Sequence, residues 1–221
     1  MKKLTILALA IFLFSGVTKA QLRYGIKGGA NLSDIITKNA MLDAANMGIH
    51  PQVGLLLQYK MGNFSIQPEL LYTEKGGTFK GVYGKSNYLA LYANLTDQNP
   101  DISLVSQQLE IPLNLQFGLK LGKSRVYIQG GPYLSYVLTG RINGENSSYK
   151  SVGELYEFNR FDYGLGAGAG VEYKKFQFSA KYDFGFSPVG KETINAISGE
   201  NFNPFYEMKN RNINVSIGYL F

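Results

Sequence analysis

The single histidine is the first residue to examine for catalysis, because lipid hydrolases and acyltransferases need a nucleophile with a base within reach. His50 stands beside Pro51 at the start of a predicted strand, and Ser33, Ser106 and Asp34 are its candidate partners. A lone histidine at a loop rim is more often solvated, and the chain has no cysteine. We therefore predict no enzymatic activity, no metal site and no cofactor.

Charged residues on the polar faces of predicted strands form a second group. If these strands close into an eight-stranded barrel, its interior has room for side chains and little else. Charges in such a space must pair and be hydrogen-bonded, so four bases and five acids predict a salt-bridge network that plugs the lumen. The nine residues are Arg23, Lys27, Lys60, Glu69, Glu110, Asp162, Glu172, Lys181 and Asp183.

The elements that carry these charges are eight segments in which apolar and polar residues alternate. A period of two is the pattern of a strand with one apolar face and one polar face. The segments cover residues 22–32, 52–60, 64–73, 109–117, 126–136, 161–173, 176–184 and 213–221.

Connections between the segments alternate in length. Three are turns of a few residues, near 61–63, 122–123 and 174–175, whereas the other four run over about 33–50, 76–105, 139–160 and 186–210. An even strand count with short turns at one end and long loops at the other is typical of bacterial outer-membrane barrels. The sequence therefore predicts an all-β, eight-stranded antiparallel up-and-down transmembrane barrel with short periplasmic turns and four long extracellular loops.

Aromatic residues give an independent indication, because a barrel in lipid carries rings of Tyr and Phe at both membrane interfaces. On the apolar faces of the predicted strands, one group of aromatic residues lies beside the short turns and a second group lies toward the long loops. The first group is Tyr24, Tyr59, Phe64, Phe117, Tyr173, Phe176, Tyr219 and Phe221, and the second is Tyr72, Tyr136, Phe161, Tyr163, Tyr182 and Phe184.

Prolines and glycines inside the strands carry two further expectations. Pro112 is predicted to fall almost opposite Pro132, and because proline removes a ladder hydrogen bond we expect a β-bulge there. Glycines at 164, 166, 168 and 170 recur at strand period on the inner face. No helix follows them as in a phosphate-binding loop, so we expect them to make room for large inward residues such as Tyr127 and Tyr133.

A soluble lipocalin-like carrier is the alternative fold, because it also has eight antiparallel strands. A lipocalin keeps its apolar face inside, and alternation alone does not say which face is inside. Nine charges on one face, two aromatic rings on the other and loops of alternating length favour the membrane barrel, with the apolar face outward.

The first twenty residues predict export. Lys2 and Lys3 precede an apolar run over 4–17, which is too short to span a membrane, and a cleavage site follows at Ala20. We expect a signal peptide at 1–20, a barrel domain at 21–221 and a place in the bacterial outer membrane. Removing the peptide lowers the net charge from +6 to +3, and the remaining bases form no stripe, so nucleic-acid binding is not expected.

Four short motifs resemble the PorT-like outer-membrane β-barrel family common in Bacteroidetes. They are GIKGGANL at 25–32, QPELLY at 67–72, LEIPL at 109–113 and GGPY at 130–133, and the resemblance covers the mature chain. It implies a small outer-membrane barrel, a family member associated with protein secretion, and no catalytic residues. By the same resemblance, a terminal strand ending in Tyr219 and Phe221 implies an assembly signal for the barrel assembly machinery.

We therefore expect a plugged structural or interaction barrel that contacts outer-membrane lipid and lipopolysaccharide. Its extracellular partner is unknown and would bind the loops, for which the candidate contacts are Phe79, Tyr83, Tyr88 and Tyr92. A narrow pore for ions or small solutes, and less favoured an outer-membrane lipid-modifying enzyme that uses His50, are the functional alternatives.

Overall fold

The protein is a closed antiparallel β-barrel in the computed structural model, which describes residues 21–36, 46–79, 102–144, 147–148, 159–190 and 208–221. The predicted signal peptide lies outside these residues. No helix long and apolar enough to cross a membrane occurs among them. The strands are β1 (Gln21–Ile36), β2 (Asn46–Met61), β3 (Phe64–Phe79), β4 (Ile102–Leu121), β5 (Ser124–Gly144), β6 (Ser147–Ser148), β7 (Phe161–Tyr173), β8 (Phe176–Gly185) and β9 (Lys209–Leu220).

Eight of these strands form the barrel wall. The two-residue β6 pairs only with the end of β5, whereas every other strand pairs with its neighbours along the chain, and β1 pairs with β9. The β1–β9 pairing runs from Gly25↔Leu220 to Ile36↔Lys209 without a shift. Closure leaves no unpaired edge in lipid, and the predicted eight-stranded antiparallel barrel is confirmed.

The three short turns lie where the sequence predicts them, and each begins with a residue of positive φ. Gly62 and Gly122 begin the β2–β3 and β4–β5 turns at φ of 61° and 63°, and Lys174 begins the β7–β8 turn at 56°. Two-residue turns of this kind match the twist of the strands that they join. The start of β1, the end of β9 and all three hairpin ends lie on one side, the periplasmic side of an outer-membrane barrel.

The polarity of the wall is apolar outside and polar inside. Outward side chains such as Ile49 and Ile128 are 74% and 64% exposed, whereas the inward Gln58 and Ser135 are fully buried. Lipid must cover the outer face, because so much apolar surface is unfavourable in water. The lipocalin-like alternative requires the opposite polarity and is wrong.

The wall is taller on its loop side than the sequence predicts. We predicted that the second to fifth strands reach residues 52, 73, 109 and 136, but β2 to β5 reach 46, 79, 102 and 144. Strand β5 has 21 residues, or about 69 Å at ~3.3 Å each, whereas roughly 9–11 residues cross a membrane. Alternation fades beyond the membrane because both faces of the strand can meet water there, so the pattern underestimates the strand length.

The predicted bulge at the strand prolines is wrong. Pro112 lies almost opposite Pro132, as predicted, because it pairs with the neighbouring Tyr133, but the β4–β5 register runs unshifted from the turn to Gln108. Beside the prolines, β4 and β5 lack two residue pairs but keep their register. Proline has no N–H to donate, and the regular hydrogen bonds on both sides hold the two strands in place. The register shift lies between Gln107 and Gln108 instead.

Inward glycines of β7 make room for tyrosines of β5, as predicted. An added Cβ at Gly164 would lie 2.7 Å from Cε1 of Tyr133, and one at Gly170 would collide with the Tyr127 hydroxyl. Both tyrosines are almost fully buried. Because a large ring faces each gap, the lumen stays filled.

Aromatic residues pair within each predicted ring. At the periplasmic end, ring centroids lie 4.9 to 5.3 Å apart in Tyr24–Phe221, Phe64–Phe117, Phe176–Tyr219 and Tyr219–Phe221. At the other end, the pairs are Tyr136–Phe161 at 5.3 Å and Tyr182–Phe184 at 4.5 Å. Such pairs are typical of the interface girdles of a membrane barrel.

Candidate functional site

The lumen is the candidate site, and its periplasmic end is organised around Glu172 on β7. Three basic side chains meet this carboxylate: Arg23 Nη2 at 3.0 Å, Arg125 Nη1 at 3.2 Å and Lys60 Nζ at 3.4 Å. They come from β1, β5 and β2, so closure of the barrel is what gathers them. We call these four residues the periplasmic cluster. It has three positive charges and one negative charge.

A net of glutamines lies directly above this cluster. Gln58 Nε2 donates to Glu172 Oε1 at 2.6 Å and to Gln67 Oε1 at 3.0 Å. Gln67 Nε2 in turn donates to Gln177 Oε1 at 3.0 Å, and Gln116 Nε2 donates to Gln67 Oε1 at 3.1 Å. Strands β3 and β8 are four positions apart in either direction around the barrel. The Gln67–Gln177 bond therefore joins opposite walls.

The middle of the lumen holds one buried ion pair. Lys27 Nζ lies 3.0 and 2.9 Å from the two carboxylate oxygens of Glu69, and neither side chain is more than 4% exposed. Gln67 and Asn114 also donate to Glu69 Oε1, at 2.7 and 3.1 Å. A buried carboxylate with this many donors meets the requirement that interior charges be paired and hydrogen-bonded.

The loop-side half is organised around Lys75 on β3. Its Nζ lies 2.5 Å from Glu110 Oε2 and 3.8 Å from Asp162 Oδ2, and 4.5 Å from the ring centroid of Tyr133. Lys181 pairs with Asp183 at 3.0 Å, and both lysines interact electrostatically with Glu110. This extracellular cluster has two positive and three negative charges; its members are Lys75, Lys181, Glu110, Asp162 and Asp183.

Amides fill the lumen between β1, β2 and β9. Asn214 Nδ2 donates to Asn31 Oδ1 at 2.7 Å, and Gln52 Nε2 donates to Asn214 Oδ1 at 2.8 Å. Asn31 also donates to the Thr73 hydroxyl. Neutral groups thus line the side of the interior that β1, β2 and β9 form.

All nine charged residues selected from the sequence lie in the interior, but two further bases were missed. Lys75 continues the inward parity of β3 two residues past the end predicted for that strand, and Arg125 precedes the predicted start of the fifth strand by one residue. Their burial, with 2% and 3% exposure, follows from the same parity rule applied to longer strands. The interior of the described residues therefore has six bases and five acids.

Among the described residues, the candidate catalytic side chains make no hydrogen bonds with one another. His50 Nε2 and Ser33 Oγ are buried and make no hydrogen bond within the described residues. Ser106 Oγ donates to the backbone oxygen of Lys75 at 3.2 Å, and the side chain of Asp34 lies outside the described residues. No group of three metal-ligating side chains occurs in the part of the chain that the structure describes.

The remaining predicted positions lie at the two ends of the barrel. Tyr83, Tyr88, Tyr92 and the side chain of Phe79 lie outside the described residues. At the periplasmic end, the Phe221 amide donates to the Tyr24 backbone oxygen at 2.8 Å. The Phe221 and Tyr219 rings lie 5.3 Å apart on the outer face.

A closed barrel with an apolar outer wall, two aromatic girdles and a polar interior defines an outer-membrane β-barrel protein. The chain belongs to the family described as the outer membrane protein β-barrel domain, whose model matches residues 17–190. The family places it in the bacterial outer membrane. No curated protein matches the chain.

Several solved outer-membrane barrels are similar in overall fold. Neisserial surface protein A is 14% identical over 92% of this chain and 99% of its own, with a TM-score of 0.45. Ail, the attachment invasion locus protein of Yersinia pestis, is 15% identical over 90% of this chain and 98% of its own, with a TM-score of 0.40. A major outer membrane protein from Thermus thermophilus is 10% identical over 90% of this chain and 99% of its own, with a TM-score of 0.46.

Proposed function

We propose that the protein is a non-conducting, non-enzymatic barrel that acts as an interaction protein through its extracellular loops. The observation that carries this proposal is the pair of hydrogen bonds between opposite walls, Gln67–Gln177 at 3.0 Å and Gln58–Glu172 at 2.6 Å. A solute would have to break both to pass. The lumen therefore serves as a support for the wall, and the loops are left to meet a partner.

Planar-bilayer conductance tests the closed lumen. We expect the mature barrel to give no resolved current steps. The double variant Gln58→Ala/Gln67→Ala, which removes both bonds between opposite walls, should give steps because it opens a path between the walls. The heat-dependent shift in gel mobility of a folded barrel confirms that both proteins are folded. Steady steps from the unmodified barrel would instead establish the narrow pore.

The tall β3–β4 hairpin supports a role for the loop that it carries. Phe79 pairs with Ile102 at the end of the described hairpin, and the 22 residues between them in the sequence include Tyr83, Tyr88 and Tyr92. Aromatic residues dominate the energy of protein interfaces. We propose that Phe79 and these three tyrosines contact an extracellular partner.

Loop replacement tests this contact. Cells that display the barrel are compared for adhesion to protein-coated and bacterial surfaces after residues 80–101 are replaced by a short Gly-Ser linker. Replacement of residues 37–45, which contain no Tyr or Phe, is the matched control. We expect adhesion to fall several-fold only in the first variant. Unchanged adhesion in both would contradict a binding role for the tyrosine-rich loop.

The motif resemblance supports a narrower assignment to PorT-like barrels and, with it, a secretion-associated role. Cleavage after Ala20 belongs to the same proposal and is tested by N-terminal sequencing of the protein from outer membranes. Contacts with lipopolysaccharide and recognition of Tyr219 and Phe221 by the barrel assembly machinery are further proposed partnerships. A gene deletion that leaves secreted protein levels unchanged would contradict the secretion role alone.

A further inference from the structure

The periplasmic end of the barrel carries a large excess of positive charge. The ranges 21–25, 57–68, 117–128, 169–180 and 216–221 form this end, and Glu172 is the one acidic side chain in them. Because Glu172 lies inside the mouth, no acidic side chain of these ranges lies at the turns. The basic residues of these ranges are Arg23, Lys60, Lys120, Lys123, Arg125, Lys174 and Lys175.

Lys174 and Lys175 differ from the other bases because they lie over outward-facing aromatic rings. Lys174 Nζ is 5.4 Å from the Tyr173 ring centroid, and Lys175 Nζ is 5.6 Å from that of Tyr219. The backbone oxygen of Lys175 accepts a hydrogen bond of 2.8 Å from the Leu220 amide, which ties the turn to the end of β9. Both ammonium groups thus lie at the girdle, which is the level of the lipid headgroups.

An apolar groove begins at Tyr219 and extends toward the membrane centre. Its volume is about 290 Å³, and Gly28 provides its floor. A Cβ added at Gly28 would meet only the Gln52 backbone oxygen, at 4.0 Å, so the space over this residue is open. The apolar walls are formed by Ile26, Val53, Phe176, Ile217 and Tyr219.

We propose that this groove and the two lysines form a binding site for an anionic phospholipid of the periplasmic leaflet. One acyl chain lies over Gly28 between Ile217 and Val53, and the phosphate lies against Lys174 and Lys175. Charge complementarity favours an anionic headgroup, because the nearby turns add positive charge and no acidic side chain of the described residues faces the site. The groove favours a lipid over a soluble anion. The inference does not depend on the role of the extracellular loops.

Lipid retention measures the headgroup half of the site. The mature barrel is inserted into phosphatidylcholine vesicles that contain a minor fraction of phosphatidylglycerol, and the lipids that stay bound are counted by native mass spectrometry. For Lys174→Gln/Lys175→Gln, we expect the preference for phosphatidylglycerol to fall about tenfold. The matched control Lys120→Gln/Lys123→Gln removes the same charge from the neighbouring turn and should change the preference by less than about twofold. An equal fall in both variants would overturn the site in favour of general surface charge.

Filling the groove tests the acyl half independently. Gly28→Leu leaves both lysines in place and should reduce retained phosphatidylglycerol about fivefold, because the added side chain occupies the space of the acyl chain. Gly130→Leu, at an outward glycine that lines a second apolar groove with Phe64 and Phe117, should leave retention unchanged. Gel mobility of unboiled samples confirms that each barrel is folded. Unchanged retention in Gly28→Leu, or displacement of the lipid by free glycerol phosphate, would overturn the proposal.

Discussion

The two charged halves of the lumen both bury paired charges, but their net charges have opposite signs. In the periplasmic cluster three bases share one carboxylate, Glu172, whereas in the extracellular cluster three acids share two bases. The pair Lys27–Glu69 lies between them. Positive and negative charges nearly balance over the whole interior, but the periplasmic half has an excess of positive charge and the extracellular half an excess of negative charge. Each half is organised around one residue of the scarcer charge, Glu172 or Lys75.

Access to water explains why each half tolerates its excess. The side chains of Arg23 and Lys60 are 13% and 17% exposed at the mouth, so water shares in neutralising them. Lys75 and Glu110 are each only 2% exposed, and their charges must be satisfied by the protein itself. We therefore expect the extracellular cluster to be the more sensitive to loss of its central residue.

The largest effect is expected for Lys75→Met. The change leaves Glu110 and Asp162 buried without their shared cation, which should lower the free energy of unfolding by about 4 kcal/mol. Urea unfolding of the refolded barrel in lipid vesicles measures the loss, with Lys120→Met at the exposed rim as the control. A loss below about 1 kcal/mol would mean that the extracellular cluster does not depend on Lys75.

A slightly smaller effect is expected for Glu172→Gln. Three cations then remain without their carboxylate, but two of them reach water, so we expect a loss of about 3 kcal/mol in the same measurement. Added salt should reduce this loss and should leave that of Lys75→Met unchanged, because screening acts on exposed charges. The control is Glu74→Gln, which removes the charge of a part-buried carboxylate on β3 that accepts a hydrogen bond of 2.9 Å from Gln107 Nε2. Equal salt dependence in both halves would contradict the difference in access to water.

The two ends also differ in their aromatic girdles, and Phe221→Ala tests that difference. If the terminal strand is an assembly signal, loss of Phe221 should reduce barrel insertion in cells about fivefold, or roughly 1 kcal/mol. Phe161→Ala removes a similarly exposed ring of the opposite girdle and should have little effect on insertion. Heat-modifiable barrel in isolated outer membranes is the readout. Equal losses would indicate that both rings act only through burial in lipid.

The smallest effect is expected for Asp162→Asn. It removes the surplus negative charge of the extracellular cluster and leaves Glu110 and Asp183 to balance Lys75 and Lys181. The amide keeps one oxygen that can accept from Asn210, whose Nδ2 lies 3.0 Å from Asp162 Oδ2. We expect a change of about 0.5 kcal/mol in either direction. A loss as large as that of Lys75→Met would show that the surplus charge is itself structural.

The face of the strand on which each side chain lies was predictable from the sequence, because it is a local property of each strand. The inward placement of Glu110 and the outward placement of Ile111 need only the period of two. Membership of the clusters was harder to predict: Lys75 and Arg125 were missed because each lies just beyond a predicted strand end. The register shift at Gln107 was also missed, because prolines were the only visible reason to expect one.

Alternation, connection lengths and aromatic placement by themselves determined the class, the strand number and the side of the wall that faces lipid. Each is set by neighbours in the chain or by the membrane as solvent. Only the tertiary structure decided which inward residues meet, since Lys60 reaches Glu172 across 112 residues of chain. Closure of β1 on β9 sets the stagger around the barrel, and that stagger brings three bases to one acid at the mouth and joins opposite walls through glutamine.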